Sequence, residues 1–181
     1  LGPFVQIDEA LVGGKGGPRK ELVLVAAEAQ GRVRLAHADT NDTDTCARFV
    51  SAQIAPRAHV VSDGHAGYNA TSLEKRTHDA IIQTKAERRD NDAVQACHWT
   101  VSLLKRWLLG THAGAVSDKH LQAYLDEFTF RQNRRKTIGV GRIAARVIES
   151  LVAKPPRTMR QIIDETTRCR WFAPPRPELR A

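Results

Sequence analysis

Two aspartates close two short apolar runs. Asp8 follows Phe4-Val5-Gln6-Ile7, and Asp63 follows His59-Val60-Val61-Ser62. β-Branched and apolar residues in runs of this length read as buried strands. A carboxylate at the end of a buried strand is costly unless it is paired or holds a cation. Two hard oxygen donors suit Mg²⁺, which combines carboxylates with water and substrate phosphate. A formal net charge of +8 in 181 residues, with an isoelectric point near 9.9, points to a polyanionic partner. A phosphate supplied by nucleic acid and a metal held by two aspartates would together give phosphoryl transfer on DNA or RNA. The plainer alternatives are a basic surface of no special purpose and two aspartates that only cap turns, since Ser62-Asp63-Gly64 is a good turn by itself.

The positive charge is clustered. Arg131, Arg134, Arg135 and Lys136 form one group, Lys154, Arg157 and Arg160 another, and Lys15, Arg19 and Lys20 flank a glycine-rich loop. A hydrophobic fraction of 41% is ordinary for a globular protein. No apolar stretch approaches the roughly 20 residues of a membrane span, and no signal peptide is visible, so a cytoplasmic location is expected. Cys46, Cys97 and Cys169 are far apart and suggest neither a disulfide framework nor a zinc site. The chain begins at Leu1, so a preceding segment is expected.

Several elements must position these residues. Phe4 to Ala10 is expected as the first strand, followed by the turn Gly13-Gly14-Lys15-Gly16-Gly17-Pro18. Strands at Glu21–Ala27 and Arg32–His37, joined at Gln30-Gly31, would complete an antiparallel meander. Asp42 to Ile54 reads as a helix with Cys46, Phe49, Val50 and Ile54 on one face. The strand to Asp63 and a short one at Ala80–Gln83 follow. Asp92 and Gln95 have the form of a capping box. They open a helix carrying Val94, Cys97, Val101, Leu104 and Leu108 to a stop at Gly110. Ser117 would cap the next helix, with Val116 and Leu121 as a staple and Leu121, Tyr124, Leu125 and Phe128 buried. A shorter helix is expected from about Arg142 to Ala153, then a loosely ordered Pro- and Arg-rich tail.

The order β-β-β-α-β-α-β-α, with acids on the first and fourth strands, matches a ribonuclease H-like α/β fold built on a mixed five-stranded sheet. Four ordered motifs sharpen the likeness. Ile7-Asp8-Glu9-Ala10-Leu11-Val12-Gly13-Gly14-Lys15 and Ser62-Asp63-Gly64-His65-Ala66-Gly67-Tyr68 are followed by Ser102-Leu103-Leu104-Lys105-Arg106 and by Tyr124-Leu125-Asp126-Glu127-Phe128, which leads into Phe130-Arg131 and Asn133-Arg134. Together they resemble the DDE domain of bacterial insertion-sequence transposases, in the ISXO-type branch with an Asp-Asp-(Asn/Glu/His)-Lys signature. The resemblance covers about residues 3 to 136. It implies a catalytic core over 1–136 and a helical, basic extension over 137–181. It also implies Mg²⁺ or Mn²⁺ as cofactor, element ends and target DNA as partners, a homodimer in the synaptic complex, and a place at the nucleoid. Family members usually add an N-terminal zinc-ribbon or helix-turn-helix part, for which this chain has no cysteine pair.

By that resemblance Asp8 and Asp63 are the metal-bridging carboxylates, and His98 stands where the third acid usually lies. Lys105, seven residues on, fits the signature lysine. On a helix the two come within about 20° of one another. His98 is then a metal ligand or a DNA contact, with a structural histidine as the alternative. Asp92 is the rival third acid, although it reads better as the helix cap. Glu9 should turn to the opposite sheet face by strand alternation and is left outside the site. Glu127, Arg131 and Arg134 share a helix stripe that resembles the family's Glu-Arg-Arg arrangement and suits DNA phosphates. A solvated Glu-to-Arg pair is the alternative. Lys15, Arg19 and Lys20 either grip a DNA backbone or form a solvated basic turn. His65 and Tyr68 are candidates to line the site, Tyr68 more as packing. Trp99 and Trp107 are expected at the helix surface or an interface.

Overall fold

The apolar runs become the strands of one mixed sheet. In a computed structural model of the chain, β1 (Phe4–Val12), β2 (Glu21–Ala27) and β3 (Val33–Ala38) form the expected antiparallel meander. β4 (His59–Ser62) lies parallel to β1, and β5 (Thr77–Ala80) parallel to β4. The order across the sheet is β3-β2-β1-β4-β5, a ribonuclease H-like arrangement. The structure describes residues 1–13, 20–74, 76–114, 118–153, 155–156 and 158–160. The helices are α1 (Thr43–Gln53), α2 (Ala70–Leu73), α3 (Lys85–Asp90), α4 (Gln95–His112), α5 (Asp118–Asn133) and α6 (Val140–Val152).

Both sheet faces are covered, which is why β2 is apolar at nearly every position. Val5 and Ile7 of β1, with Leu24, Ala26 and Ala36, pack on Cys46, Phe49 and Val50 of α1. The alternate residues, Val12 with Val23, Val25 and Leu35, pack on Cys97 and Leu104 of α4 and on Leu121 and Leu125 of α5. Gln6 breaks the apolar run for a reason: its Oε1 accepts the Ala96 backbone N–H at 2.7 Å and so fixes the start of α4 against β1.

The outer edge of the sheet is also managed. An unpaired edge strand invites pairing with another chain, and α5 covers the one at β3. Asn133 accepts from the Val33 N–H at 2.7 Å and donates to the Val33 carbonyl at 3.0 Å, acting as one residue of an extra strand. Gln122 Oε1 takes the His37 N–H at 2.9 Å.

Local signals misplaced three boundaries. The fifth strand is Thr77–Ala80 and not Ala80–Gln83, because its partner β4 ends with the pair Ser62↔Ala80, and Ile81 and Ile82 are left exposed. α4 continues through Gly110 to His112 and ends at Ala113 in the left-handed region. Asp92 and Gln95 form no capping box: Val94 is the N-cap and makes no side-chain cap bond. The expected cap at Ser117 and staple at Val116 lie outside the described residues, as do Lys154, Arg157 and the tail from 161 onward. Among the described residues no helix is long and apolar enough to cross a membrane.

Asn133→Ala removes both partners of the Val33 backbone. We expect a loss of about 1–3 kcal/mol, read as a lower urea midpoint at unchanged slope. An unmoved midpoint would mean that this edge needs no cap.

Candidate metal centre

β1 outlasts its neighbour, and that fact makes the site. In the parallel pair Gln6 stands opposite Val61, so two residues further on Asp8 stands opposite Asp63, just past the end of β4 at Ser62. Asp8 and Glu9 therefore have no strand beside them on this side, and groups from both sheet faces can meet around the open corner. One carboxylate oxygen from each of Asp8, Glu9 and Asp63 lies within 4.8 Å of the others. The Asp8 side chain is 9% exposed on the α4 side, and the Glu9 side chain is 18% exposed beside His65. Glu9 does face away from Asp8, as alternation requires, but it joins the cluster all the same. Glu9, expected to stand outside the site, thus lies with Asp8 and Asp63.

The loop after β4 holds Asp63 in place. Its Oδ1 accepts the His65 N–H at 3.2 Å, and Gly64 N–H donates to Ser62 Oγ at 3.2 Å. Gly64 adopts φ +87, and a Cβ there would lie 2.7 Å from Ile82 Cγ1, so any other residue would be strained. The turn-capping and site roles of Asp63 thus coincide. Tyr68 is buried, and its hydroxyl donates to the Asp8 carbonyl at 3.4 Å, which makes it a support for β1. His65 stands 3.7 Å from Glu9 Oε1 and 2.9 Å from the Asn41 amide. Glu9 Oε2 is buried without a hydrogen-bond partner.

His98 lies on the opposite side of Asp8. Its Nε2 is 3.3 Å from Asp8 Oδ2, and its Nδ1 is 2.5 Å from Asp92 Oδ2. A carboxylate only accepts, so Nδ1–H donates to Asp92, and Nε2 is presented to Asp8. Asp92 is therefore a partner of His98 and not a helix cap. Its other oxygen accepts the Val94 N–H at 3.1 Å. Gln83 braces the preceding turn, donating to the Asn91 carbonyl at 2.6 Å and accepting the Ala93 N–H at 2.9 Å. The sequence contains both residues of this pair, but only the fold sets the Asp92 loop beside the first turn of α4.

Among the described residues, none of the other expected site residues joins the carboxylate cluster. Lys105 is exposed, about 10 Å further along α4 than His98 at the helical rise. Lys20 is exposed at the foot of β2, while Lys15 and Arg19 lie outside the described residues. Arg131 pairs with Glu127 at 2.8 Å on the surface. Arg134 sits 4.0 Å over the Phe130 ring. This end of α5 packs on β3, on the far side of β1 from β4. Trp99 is half-exposed, and Trp107 packs against Phe128 and His112.

Burial, and then the neighbouring Asp63, raise the Asp8 carboxyl above its ordinary value against the pull of the Glu9 N–H and of His98. Burial also raises Glu9, with Asp63 and Asp8 adding to it against His65 and Asn41. An orphaned oxygen and crowded acids, Asp8, Glu9 and Asp63, are a donor set a divalent cation takes; His98 Nε2 meets Asp8 but is not in this group of atoms. Neighbouring ligands of an octahedral ion with bonds of roughly 2.1 Å are about 3 Å apart, which suits Asp8 Oδ2 and His98 Nε2.

A raised folded pKa means that the native state holds these protons more tightly than the unfolded chain does. Their contribution to stability is full below the unfolded carboxyl range and is lost as pH rises through the raised folded values. In metal-free buffer we therefore expect Asp8→Asn to stabilise the fold at neutral pH, with an advantage that vanishes as pH falls into the ordinary carboxyl range. Chemical denaturation at both pH values in the presence of chelator checks this. A variant less stable than the parent at neutral pH would show that the carboxylates are not in conflict.

Residues 1–133 match the family model of the ISXO2-like transposase domain, and no curated relative matches the chain. Among solved structures, a chain of the simian T-cell lymphotropic virus intasome in complex with PP2A regulatory subunit B56 gamma is similar at 13% identity, with a TM-score of 0.49 over 71% of this chain and 47% of that one. The HTLV-2 integrase catalytic core domain in complex with magnesium, in trimeric form, is similar at 14% identity, with a TM-score of 0.44 over 71% of this chain and 82% of that one. This chain spans about half the length of the first of these. With 133 of its 181 residues matched, the chain belongs to the ISXO2-like transposase domain family.

Proposed function

We propose that this chain is the catalytic part of an insertion-sequence transposase, with residues 1–136 as the core and 137–181 as a basic extension. It would hydrolyse a phosphodiester at the element's end and join the 3′-hydroxyl to target DNA. The observation that carries the reading is the convergence of Asp8, Glu9 and Asp63 around a buried oxygen without a partner. A divalent cation, Mg²⁺ or Mn²⁺, would lower the pKa of an attacking hydroxyl and neutralise charge on the leaving oxygen. Asp8, Asp63 and His98 are its proposed ligands, and Glu9 is added as a fourth. Asp92 fixes the His98 ring so that the Nε2 lone pair faces the site, as carboxylates commonly do behind metal-bound histidines. Lys105 takes a phosphate of DNA that runs along α4, and Lys15, Arg19 and Lys20 take others beside the site. Arg131 and Arg134, with Glu127 orienting Arg131, bind backbone further away. Element ends and target DNA are the partners, with two copies of the chain in the assembly, at the nucleoid of the cell.

A strand-transfer assay on a pre-cut 3′-end, run beside calorimetric Mn²⁺ titration, tests the reading. Asp8→Asn and Asp63→Asn should each abolish both metal uptake and joining. Cleavage without joining would mark a nuclease, and DNA binding without metal uptake a relic. Asp92→Asn should weaken Mn²⁺ binding roughly 10- to 100-fold, where loss of a helix cap would lower stability alone. His98→Glu should shift preference from Mn²⁺ toward Mg²⁺, since imidazole favours the later metal. If His98→Ala keeps metal and activity while Asp92→Ala loses both, the ligand is Asp92.

A further inference from the structure

The largest concentration of positive charge lies away from the carboxylates. Arg32 and Arg34 at the start of β3, Arg134 at the end of α5, and Arg142 and Arg146 on α6 line one cleft of about 580 Å³, with Asn133 at its floor and Glu149 as the acid in its lining. Arg146 pairs with Glu149 at 2.7 Å. Among the described residues no carboxylate stands within ion-pair distance of Arg32, Arg34 or Arg142. Arg34 is half-buried. Burial, and then Arg32, lower its pKa against the pull of Glu28, and Arg134 adds to the lowering. Arg134 is held flat over Phe130, which presents its guanidinium edge instead of letting it wander.

A protein gains nothing in stability from crowding like charges around a half-buried arginine. The arrangement becomes favourable when an anion with several oxygens enters, because the planar forks of arginine match phosphate in pairs. Three segments distant in sequence supply these groups, so the cleft is a product of the fold and not a local charge run. It lies at the β3 edge of the sheet, whereas Asp63 follows β4 on the other side of β1.

We propose that this arginine cleft binds the phosphodiester backbone of a DNA segment separate from the strand at the carboxylates. The proposal rests on the transposase reading for the identity of the polyanion. The cleft anchors duplex without reading its sequence, because phosphate contacts fix position and not base identity. It acts without metal, since five of its lining residues are arginines and its one acid, Glu149, pairs with Arg146.

The test is fluorescence anisotropy of a labelled duplex in EDTA over a range of salt. Arg32→Ser/Arg34→Ser/Arg142→Ser should bind at least about tenfold more weakly. Its plot of log affinity against log salt should flatten by about 2.7, roughly 0.9 for each phosphate no longer neutralised. Arg48→Ser/Arg57→Ser/Arg89→Ser removes the same charge elsewhere and should leave affinity and slope close to the parent. The triple lysine variant at 32, 34 and 142 controls for folding and should restore the slope. If the two serine triples behave alike, the cleft assignment is overturned and only net charge matters. If the cleft triple alters self-association in sedimentation and not DNA binding, the occupant is an acidic protein surface and the proposal fails. If the parent chain binds no duplex at any salt, the transposase reading itself fails, which is a different result from a parent that binds and a cleft triple that binds equally well.

Discussion

Everything else in this molecule accommodates one electrostatic conflict. At 4.8 Å, two ionised carboxylates repel by about 3.5 kcal/mol at an effective dielectric of roughly 20. Solvent around the half-exposed Asp63 reduces the figure. Burial is the main cause that raises the pKa values of Asp8 and Glu9, and the neighbouring carboxylates add to it. A fold keeps such a cluster only when the surrounding packing leaves no alternative. Here the cluster is pinned by a β1 strand buried on both faces and by a turn at Gly64 whose positive φ favours glycine.

The start of α4 is fixed by the strand on which it packs. Gln6 accepts the Ala96 N–H; two residues on in the strand is Asp8, and two residues on in the helix is His98. The registers of β1 and α4 are thus locked one step before the point where their functional side chains meet. Behind His98, Gln83 clasps the turn that presents Asp92. The chain from β5 to α4 is therefore a support for one imidazole. On the other sheet face Asn41 and His65 stand against Glu9 in a similar way. The two faces differ in what they offer: the α4 face gives a ring held by a carboxylate, and the α1 face gives an oxygen left open.

The sheet is legible in the sequence because its signals are local. Val-rich runs, the Gln30-Gly31 turn and the acids at strand ends specify strand number, direction and the Asp8–Asp63 pair. What sequence misses depends on where neighbours stop. Alternation puts Glu9 on its correct face, yet alternation describes a strand inside a sheet, and at residue 9 the sheet has a corner. The spacing of Asp92 to Gln95 invokes a rule about helix starts, while the bond that matters runs to His98 and exists only after the loop has folded back. The apolar Ile81 and Ile82 look like strand, but the ladder has already ended with β4. No pattern along the chain could join Arg34 to Arg142, because only the fold brings them to the lining of one cleft.

The histidine at position 98 suits the same electrostatics. With Glu9 in the cluster, three carboxyl groups already crowd this corner. A fourth at position 98 would stand between Asp8 and Asp92, the two groups that the His98 ring now meets, adding repulsion on both sides. An imidazole at this place meets Asp8 through Nε2, and through Nδ1–H it turns the neighbouring Asp92 from a source of repulsion into a hydrogen-bond acceptor. Glu9 inward, His98 in the third position and Asp92 behind it are on this argument one solution. Each becomes physically reasonable only in the company of the other two.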